Sequence, residues 1–288
     1  MTSGKTTARG IGLMTLAMLA IPVVDGIAKY LSASYSPLFI GWARYAVASM
    51  IVLPLACQLH GRRVFPAEHR SAHLVRTAFL VTAMTLYFLA IARIPLSLAV
   101  SAYFAGPIIA VVLSVLFLGE AATPRKVVSL MLGFAGSLVI LRPSGEIETG
   151  IVMAFGAGSF FALYLIATRQ ASRHSDPIKT LAFQCVIGTA LLTPQAILTF
   201  DIPSPDALWL FAGLGLFSAL GHVLTILAFR IADASTLAPL VYVELVGTVA
   251  IGFLIFDEVP GTATVIGATL IVLAGLALVM QRAGETNA

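Results

Sequence analysis

The residues best suited to chemistry in this sequence are a few titratable and phenolic side chains set inside long apolar runs. His222 and Glu244 stand equally far from Asp233. On two helices joined by a turn at Asp233 they fall at one height, about 16 Å from the turn. His222 continues a polar stripe of Ser218, His222 and Thr225 at helical spacing, and Glu244 precedes Thr248 by one turn. A carboxylate and an imidazole placed there can bind a cationic or amino group, exchange a proton, or form a hydrogen bond that glues two helices. Asp25 and Arg44 obey the same rule about the turn at residues 32–36, with Lys29 one helical turn from Asp25. Their height is nearer the membrane face, so the first expectation is an ion pair locking the first two helices. Turned inward, Asp25, Lys29 and Arg44 would instead guard a mouth and hold a carboxylate. Tyr87 and Tyr103 mirror each other about Pro95. With Tyr164, Tyr242, Trp42 and Phe161 they either line a pocket that accepts varied side chains or simply pack.

The elements that must position these residues follow from composition. Of 288 residues, 59% are hydrophobic and 10% charged, with a mean hydropathy of +0.99, which excludes a water-soluble domain. The charges fall in short gaps between apolar runs of about 20 residues, the length that crosses roughly 30 Å of hydrocarbon as a helix. Pro, Gly and charge punctuation give ten spans, at 9–31, 37–58, 72–93, 96–118, 124–141, 150–169, 177–198, 206–230, 235–256 and 261–281. A cytoplasmic amino terminus places Lys5, Arg9, Arg62, Arg63, Arg70, Arg76, Arg125, Lys126, Arg169, Arg173, Lys179, Arg230 and Arg282 on the cytoplasmic side. Only Lys29, Arg44, Arg93 and Arg142 remain, so the positive-inside rule selects this orientation, with both termini cytoplasmic.

Several classes are excluded. The net charge of +4 comes from scattered loop residues, with no basic stripe for nucleic acid. Cys57 and Cys185 lie in or at the end of apolar runs and form no CxxC motif. No GxxxxGK[ST] loop and no HExxH motif occurs, no Ser, His and Asp set converges by spacing, and no span carries a repeat of arginines. We expect no catalytic residue, no metal and no cofactor. The expected partners are a small-molecule substrate and the lipid bilayer, with the chain working as a monomer or a homodimer.

The two halves look like one motif used twice. Residues 90–120 overlie 228–258 at an offset of 138, matching Ala90 with Ala228, Ser97 with Ser235 and Glu120 with Glu258. Five spans per half, an odd number, forces the second half into the membrane from the opposite side, the arrangement of secondary transporters with alternating access. The expected fold is therefore an all-α polytopic membrane protein of ten transmembrane helices, two inverted five-helix repeats at 1–143 and 144–288 around a central cavity. Pro107 and Pro239 should kink the fourth and ninth spans. Gly133, Gly136, Gly267 and Gly275 should allow helices to approach closely.

The run Ala105-Gly-Pro-Ile-Ile-Ala-Val-Val-Leu-Ser-Val-Leu-Phe-Leu-Gly-Glu120, followed by Gly133 and Gly136, resembles the signature of EamA-type carriers in the drug/metabolite transporter superfamily. A weaker copy runs from Leu237-Ala-Pro239 to Asp257-Glu258, with Asp257 where the first copy has Gly119. Ser36-Pro37 with Arg44 resembles the second span of that family, and Asp25 to Lys29 the first span of one subset. The resemblance implies a ten-helix bundle in a bacterial inner membrane that exports small polar metabolites, amino acids above all. It leaves open uptake or exchange of another metabolite such as S-adenosylmethionine, and export of cationic drugs. Within this picture His222, Glu244 and the tyrosines are candidates for the substrate cavity. Glu244, His222, Asp25, Lys29 and Arg44 are candidates for coupling or gating.

Overall fold

A computed structural model describes residues 2–94, 96–121, 123–141, 149–172 and 175–256, with 259, 261–263, 265–267, 269–270 and 272–274. Among these residues the chain is helical and contains no strand. Its helices are α1 (Thr2–Leu31), α2 (Pro37–His60), α3 (Arg70–Ile91), α4 (Leu96–Tyr103), α5 (Gly106–Leu118), α6 (Pro124–Leu141), α7 (Thr149–Ser172), α8 (Pro177–Leu198), α9 (Pro205–Ile231), α10 (Ala234–Leu237) and α11 (Val243–Phe256), with a 3-10 turn at Ala238–Tyr242. Seven stretches are long and apolar enough to cross a bilayer. Gly106–Leu118, Lys126–Gly136 and Val265–Ala274 are shorter apolar helices. Together they fall on the ten expected spans.

Local chemistry sets the helix starts. Pro37, Pro177 and Pro205 open α2, α8 and α9, where a missing N–H costs nothing. Asp176 accepts from the backbone N–H groups of Ile178 and Lys179 at 3.0 and 3.1 Å. The same Asp176 meets His60 Nε2 at 3.1 Å, fastening the end of α2 to the start of α8. Large apolar side chains such as Leu116, Phe117, Leu198, Trp209 and Leu254 lie on the outside, as they do when the surrounding solvent is lipid rather than water.

The long helices pair mainly across the two halves of the chain. α1 packs along α9, α3 along α7, and α2 along α8. Exchanging the halves turns the first pair into the second and the third into itself, so one pseudo-two-fold relation organises the bundle. The fourth and ninth spans lose regular α-helical geometry where the kinks are expected. The fourth stops at Tyr103 and resumes at Gly106, and the ninth passes through the 3-10 turn before α11. Each break stands beside its proline, Pro107 or Pro239, which supplies no N–H to the preceding turn. The two breaks meet, because Tyr242 donates its hydroxyl to the Phe104 carbonyl at 3.1 Å and the rings lie edge to face at 5.2 Å. These partners are separated by the same 138 positions that relate the repeats.

Close backbone approach depends on particular glycines. A Cβ on Gly158 of α7 would lie 2.2 Å from the Tyr103 carbonyl oxygen, and one on Gly106 would lie 2.6 Å from the Gly158 carbonyl oxygen. Gly133 makes room for the Tyr242 ring, which a Cβ would meet at 2.3 Å. Gly136 is buried, as is Gly267, while Gly275 lies outside the described residues. Replacing Gly158 by Val should lower the unfolding temperature of the detergent-solubilised protein by several degrees, because backbone atoms rather than flexible side chains must move. Gly12→Ala, where no heavy atom would lie within 4 Å, should leave it unchanged. Fluorescence-detected thermal unfolding on both variants makes the comparison.

Candidate functional site

The helices α1, α2, α3, α4, α7, α9 and α11 enclose a cavity of about 30 Å³ as traced by the centres of water molecules. It holds a few waters at most. Its polar wall is Asp25, Arg44, Tyr87, Tyr103, Ser218, His222 and Glu244, and its apolar wall is Ile21, Val24, Met84 and Phe161. Asp25, Arg44, His222 and Glu244 are each less than a tenth exposed. Charges so deep in a bundle face a cavity or a partner, since hydrocarbon offers neither.

Arg44 stands at the centre of this wall. Its Nη2 lies 3.3 Å from His222 Nε2 and its Nη1 3.3 Å from Met84 Sδ. Its guanidinium also lies 5.1 and 5.7 Å from the Tyr45 and Phe88 ring centroids, contacts that favour a cation. Yet among the described residues Arg44 is in no ion pair. The ion pairs among described residues are His60 with Asp176, and Arg169 with Glu120 and Asp233. Asp25 Oδ2 is buried without a hydrogen-bond partner. Asp25 and Glu244 thus present two carboxylates, one from each half of the chain, to a cavity shared with one guanidinium.

The structure redraws several expectations. Asp25 and Arg44 do not lock α1 to α2, for both turn toward the bundle axis and line the cavity. The equal-height rule sets Asp25 opposite Arg44 but nearer the membrane face, whereas both line the cavity that holds His222 and Glu244, and it is silent about rotation. Lys29 does not join them, because its Nζ lies 4.4 Å over the Phe256 ring on α11, away from the cavity. His222 and Glu244 do share the cavity, although the imidazole contacts Arg44 rather than the carboxylate. Tyr87 and Tyr103 meet there with ring centroids 5.2 Å apart, and Phe161 follows at 5.2 Å from Tyr103.

Tyr164, Tyr242 and Trp42 are outside the cavity wall. Tyr164 is fully buried behind it, with its ring 6.2 Å from His222 and its hydroxyl 3.5 Å from Arg76 Nη1. Tyr242 is spent on the Phe104 carbonyl. Trp42 donates Nε1 to Thr193 at 3.2 Å and stacks on Phe39.

Two basic residues expected in the flanks are buried. Arg76 is fully enclosed, and Arg169 is 7% exposed. Arg169 donates Nε to Glu120 at 3.3 Å, Nη1 to the Phe229 carbonyl at 2.8 Å, and Nη2 to Asp233. The Glu120 carboxylate in turn accepts from the backbone N–H groups of Ala234 and Ser235 at 3.2 and 2.8 Å, at the positive start of α10. This clasp ties the ends of α5, α7 and α9 to the start of α10. Sequence spacing holds a hint of it, since Glu120 closes the repeated segment. Its counterpart Glu258 lies outside the described residues.

A helical bundle with two interrupted spans thus surrounds a small cavity whose wall carries charged and polar residues. The EamA-like transporter family model matches residues 8–142 and 148–281, and the chain belongs to that family. It is a multi-pass membrane protein that transports a small molecule. It is similar to a riboflavin transporter of Vibrio cholerae, 27% identical with 90% of this chain and 89% of that protein covered. An S-adenosylmethionine uptake transporter of Rickettsia conorii is 27% identical, with 98% and 96% covered. A pseudopaline exporter of Pseudomonas aeruginosa is 29% identical, with 96% and 97% covered. A solved crystal structure at 16% identity superposes with a TM-score of 0.80 over 95% of this chain and 97% of that one, a likeness of fold.

The Arg169 clasp gives a stability prediction. Arg169→Ala leaves the Glu120 carboxylate, 5% exposed, with its Ala234 and Ser235 donors but without its ion-pair partner among the described residues, and should cost about 3 kcal/mol. Arg169→Lys should recover part of that. Thermal unfolding in detergent reads both; an unaltered Arg169→Ala transition would show that the clasp carries no stability.

Proposed function

We propose that the protein exports small amino-acid-type metabolites by alternating access around the cavity of Asp25, Arg44, His222 and Glu244. The observation that carries this reading is one buried guanidinium facing the same small space as two carboxylates on opposite halves of the chain. A zwitterion complements that set: its carboxylate takes Arg44, with two donors in a fork, and its ammonium takes Asp25 or Glu244. Tyr87, Tyr103, Phe161, Met84, Ile21 and Val24 offer apolar and aromatic area to a variable side chain. The cavity is too small for such a ligand as it stands, so binding must accompany opening of one face.

In this reading residues 1–143 and 144–288 are the two inverted repeats, rocking about the Phe104 to Tyr242 contact. The chain sits in a bacterial inner membrane with both termini in the cytoplasm. One chain encloses the whole cavity, so a monomer suffices for transport. Glu244, contributed by the second repeat, is the coupling carboxylate, and Arg44 the substrate anchor.

A second reading has its own support. At formal charges, two carboxylates against one guanidinium leave one negative charge over, which favours a ligand of net charge +1. An amino-acid derivative with a further cationic centre satisfies that, and relatives similar along nearly the whole chain are named S-adenosylmethionine uptake transporters.

Counterflow in proteoliposomes separates these readings. Protein preloaded with an unlabelled amino-acid mixture should accumulate trace labelled amino acids; accumulation of labelled S-adenosylmethionine alone would favour the second reading. Arg44→Gln should raise the half-saturating concentration at least tenfold, the loss of a charge-assisted hydrogen bond worth about 1.5–3 kcal/mol. Glu244→Gln should retain counterflow but lose stimulation by a pH gradient. Gradient-driven flux that survives in Glu244→Gln would remove that residue from coupling, and absence of any counterflow would remove both substrate readings.

A further inference from the structure

The most unusual charge outside the cavity is Arg76. It stands on α3, six residues or about 9 Å from the helix start, on the membrane side where α1 begins. Its side chain is fully buried. Nη1 donates to Tyr164 Oη at 3.5 Å and Thr168 Oγ1 at 3.2 Å, and Nη2 to the Thr180 carbonyl at 3.4 Å and Gln184 Oε1 at 2.8 Å. Every acceptor is a neutral dipole. Among the described residues Arg76 is in no ion pair. Three donors remain in the same cluster without partners: Arg76 Nε, Gln184 Nε2 and Thr180 Oγ1.

A buried cation lacking a counter-charge is costly. Here two spare N–H donors, Arg76 Nε and Gln184 Nε2, and one hydroxyl that can donate, Thr180 Oγ1, surround it, a composition that suits an anion better than a closed structural network. The cluster also continues the cavity. Arg44 meets His222 at 3.3 Å, the His222 ring lies 6.2 Å from that of Tyr164, and the Tyr164 hydroxyl meets Arg76. Arg44 and Arg76 therefore stand at two ends of one polar file running toward the side of the amino terminus.

We infer that the Arg76, Gln184 and Thr180 cluster is a second station for the substrate's carboxylate, occupied when the carrier opens toward the side that bears its amino terminus. The carboxylate leaves Arg44 past His222 and Tyr164, and Arg76 receives it before release. Opening needs α3 to part from α7 and α8, the three helices that supply the cluster. This rests on the zwitterion reading above for the carboxylate, but the cluster's preference for anions does not.

The test uses Thr168→Cys in a Cys57→Ser, Cys185→Ser background of the full chain in oriented membrane vesicles, with Gln184→Cys as a second reporter position. Each is labelled with a sulfonate-bearing methanethiosulfonate and, separately, with its trimethylammonium counterpart. From the side where an amino-terminal tag is cleavable, the sulfonate reagent should react about tenfold faster, a ratio set by the local potential. Adding Arg76→Gln should abolish that preference and Arg76→Lys should keep it. Acetate should slow the reaction more than chloride at equal ionic strength.

Equal rates for the two reagents, a preference untouched by Arg76→Gln, or no labelling of either position in protein that elutes as a folded species would each overturn the station. Equal slowing by acetate and chloride would overturn its carboxylate class. Counterflow of amino acids, run on the same preparations, separates the two ideas. Counterflow without charge preference sinks the station alone, and charge preference without counterflow sinks the amino-acid reading alone.

Discussion

A guanidinium held in hydrocarbon dictates much of what surrounds it. Placing Arg44 in the middle of a bundle is tolerable only where polar groups or a wet cavity meet it, and seven helices supply that enclosure. The His222 imidazole, the Met84 sulfur and two aromatic faces share the contact work. The carboxylates of Asp25 and Glu244 face the same cavity without pairing with it directly. An unpaired arrangement of this kind is poor as a structural lock and good as a binding site, because a ligand that bridges the groups gains interactions the protein has left unmade.

The broken spans serve the same constraint. Backbone carbonyls inside a membrane need donors, and the two breaks answer one another, with Tyr242 donating to Phe104. Glycines at 106 and 158 let the first break lie directly on α7. The result is a point of contact between the halves, to which the Arg169 clasp adds a second at the ends of α5, α7 and α9. Glu120 in that clasp caps α10 in the opposite half, so a single carboxylate couples the end of one repeat's fourth span to the start of the other's.

How much of this was legible depended on the kind of information needed. The heights of His222 with Glu244, of Asp25 with Arg44, and of Tyr87 with Tyr103 could be read because helical rise is fixed and the turns are short. The 138-residue offset matched equivalent positions but did not say that Phe104 and Tyr242 would touch, nor that the tyrosine would be withdrawn from the cavity. The sequence puts Arg76 and Arg169 at the ends of their spans but does not show that they are buried, because positive residues near span ends ordinarily reach water. Burial came from neighbours on α7, α8 and α9 that are distant in sequence.

By itself the sequence determined that this is a helical membrane protein, the number and approximate ends of its spans, and the doubled motif. Hydrophobicity is a local and additive property, and a bilayer reads it segment by segment. Only the tertiary structure decided which face of each helix looks inward. In lipid the outer face of a helix is as apolar as the packed one, so periodicity carries little rotational signal. Rotation is fixed by interhelical packing, and it turned Asp25 and Arg44 into the cavity, Lys29 away from it, and Arg76 into the core between α3, α7 and α8.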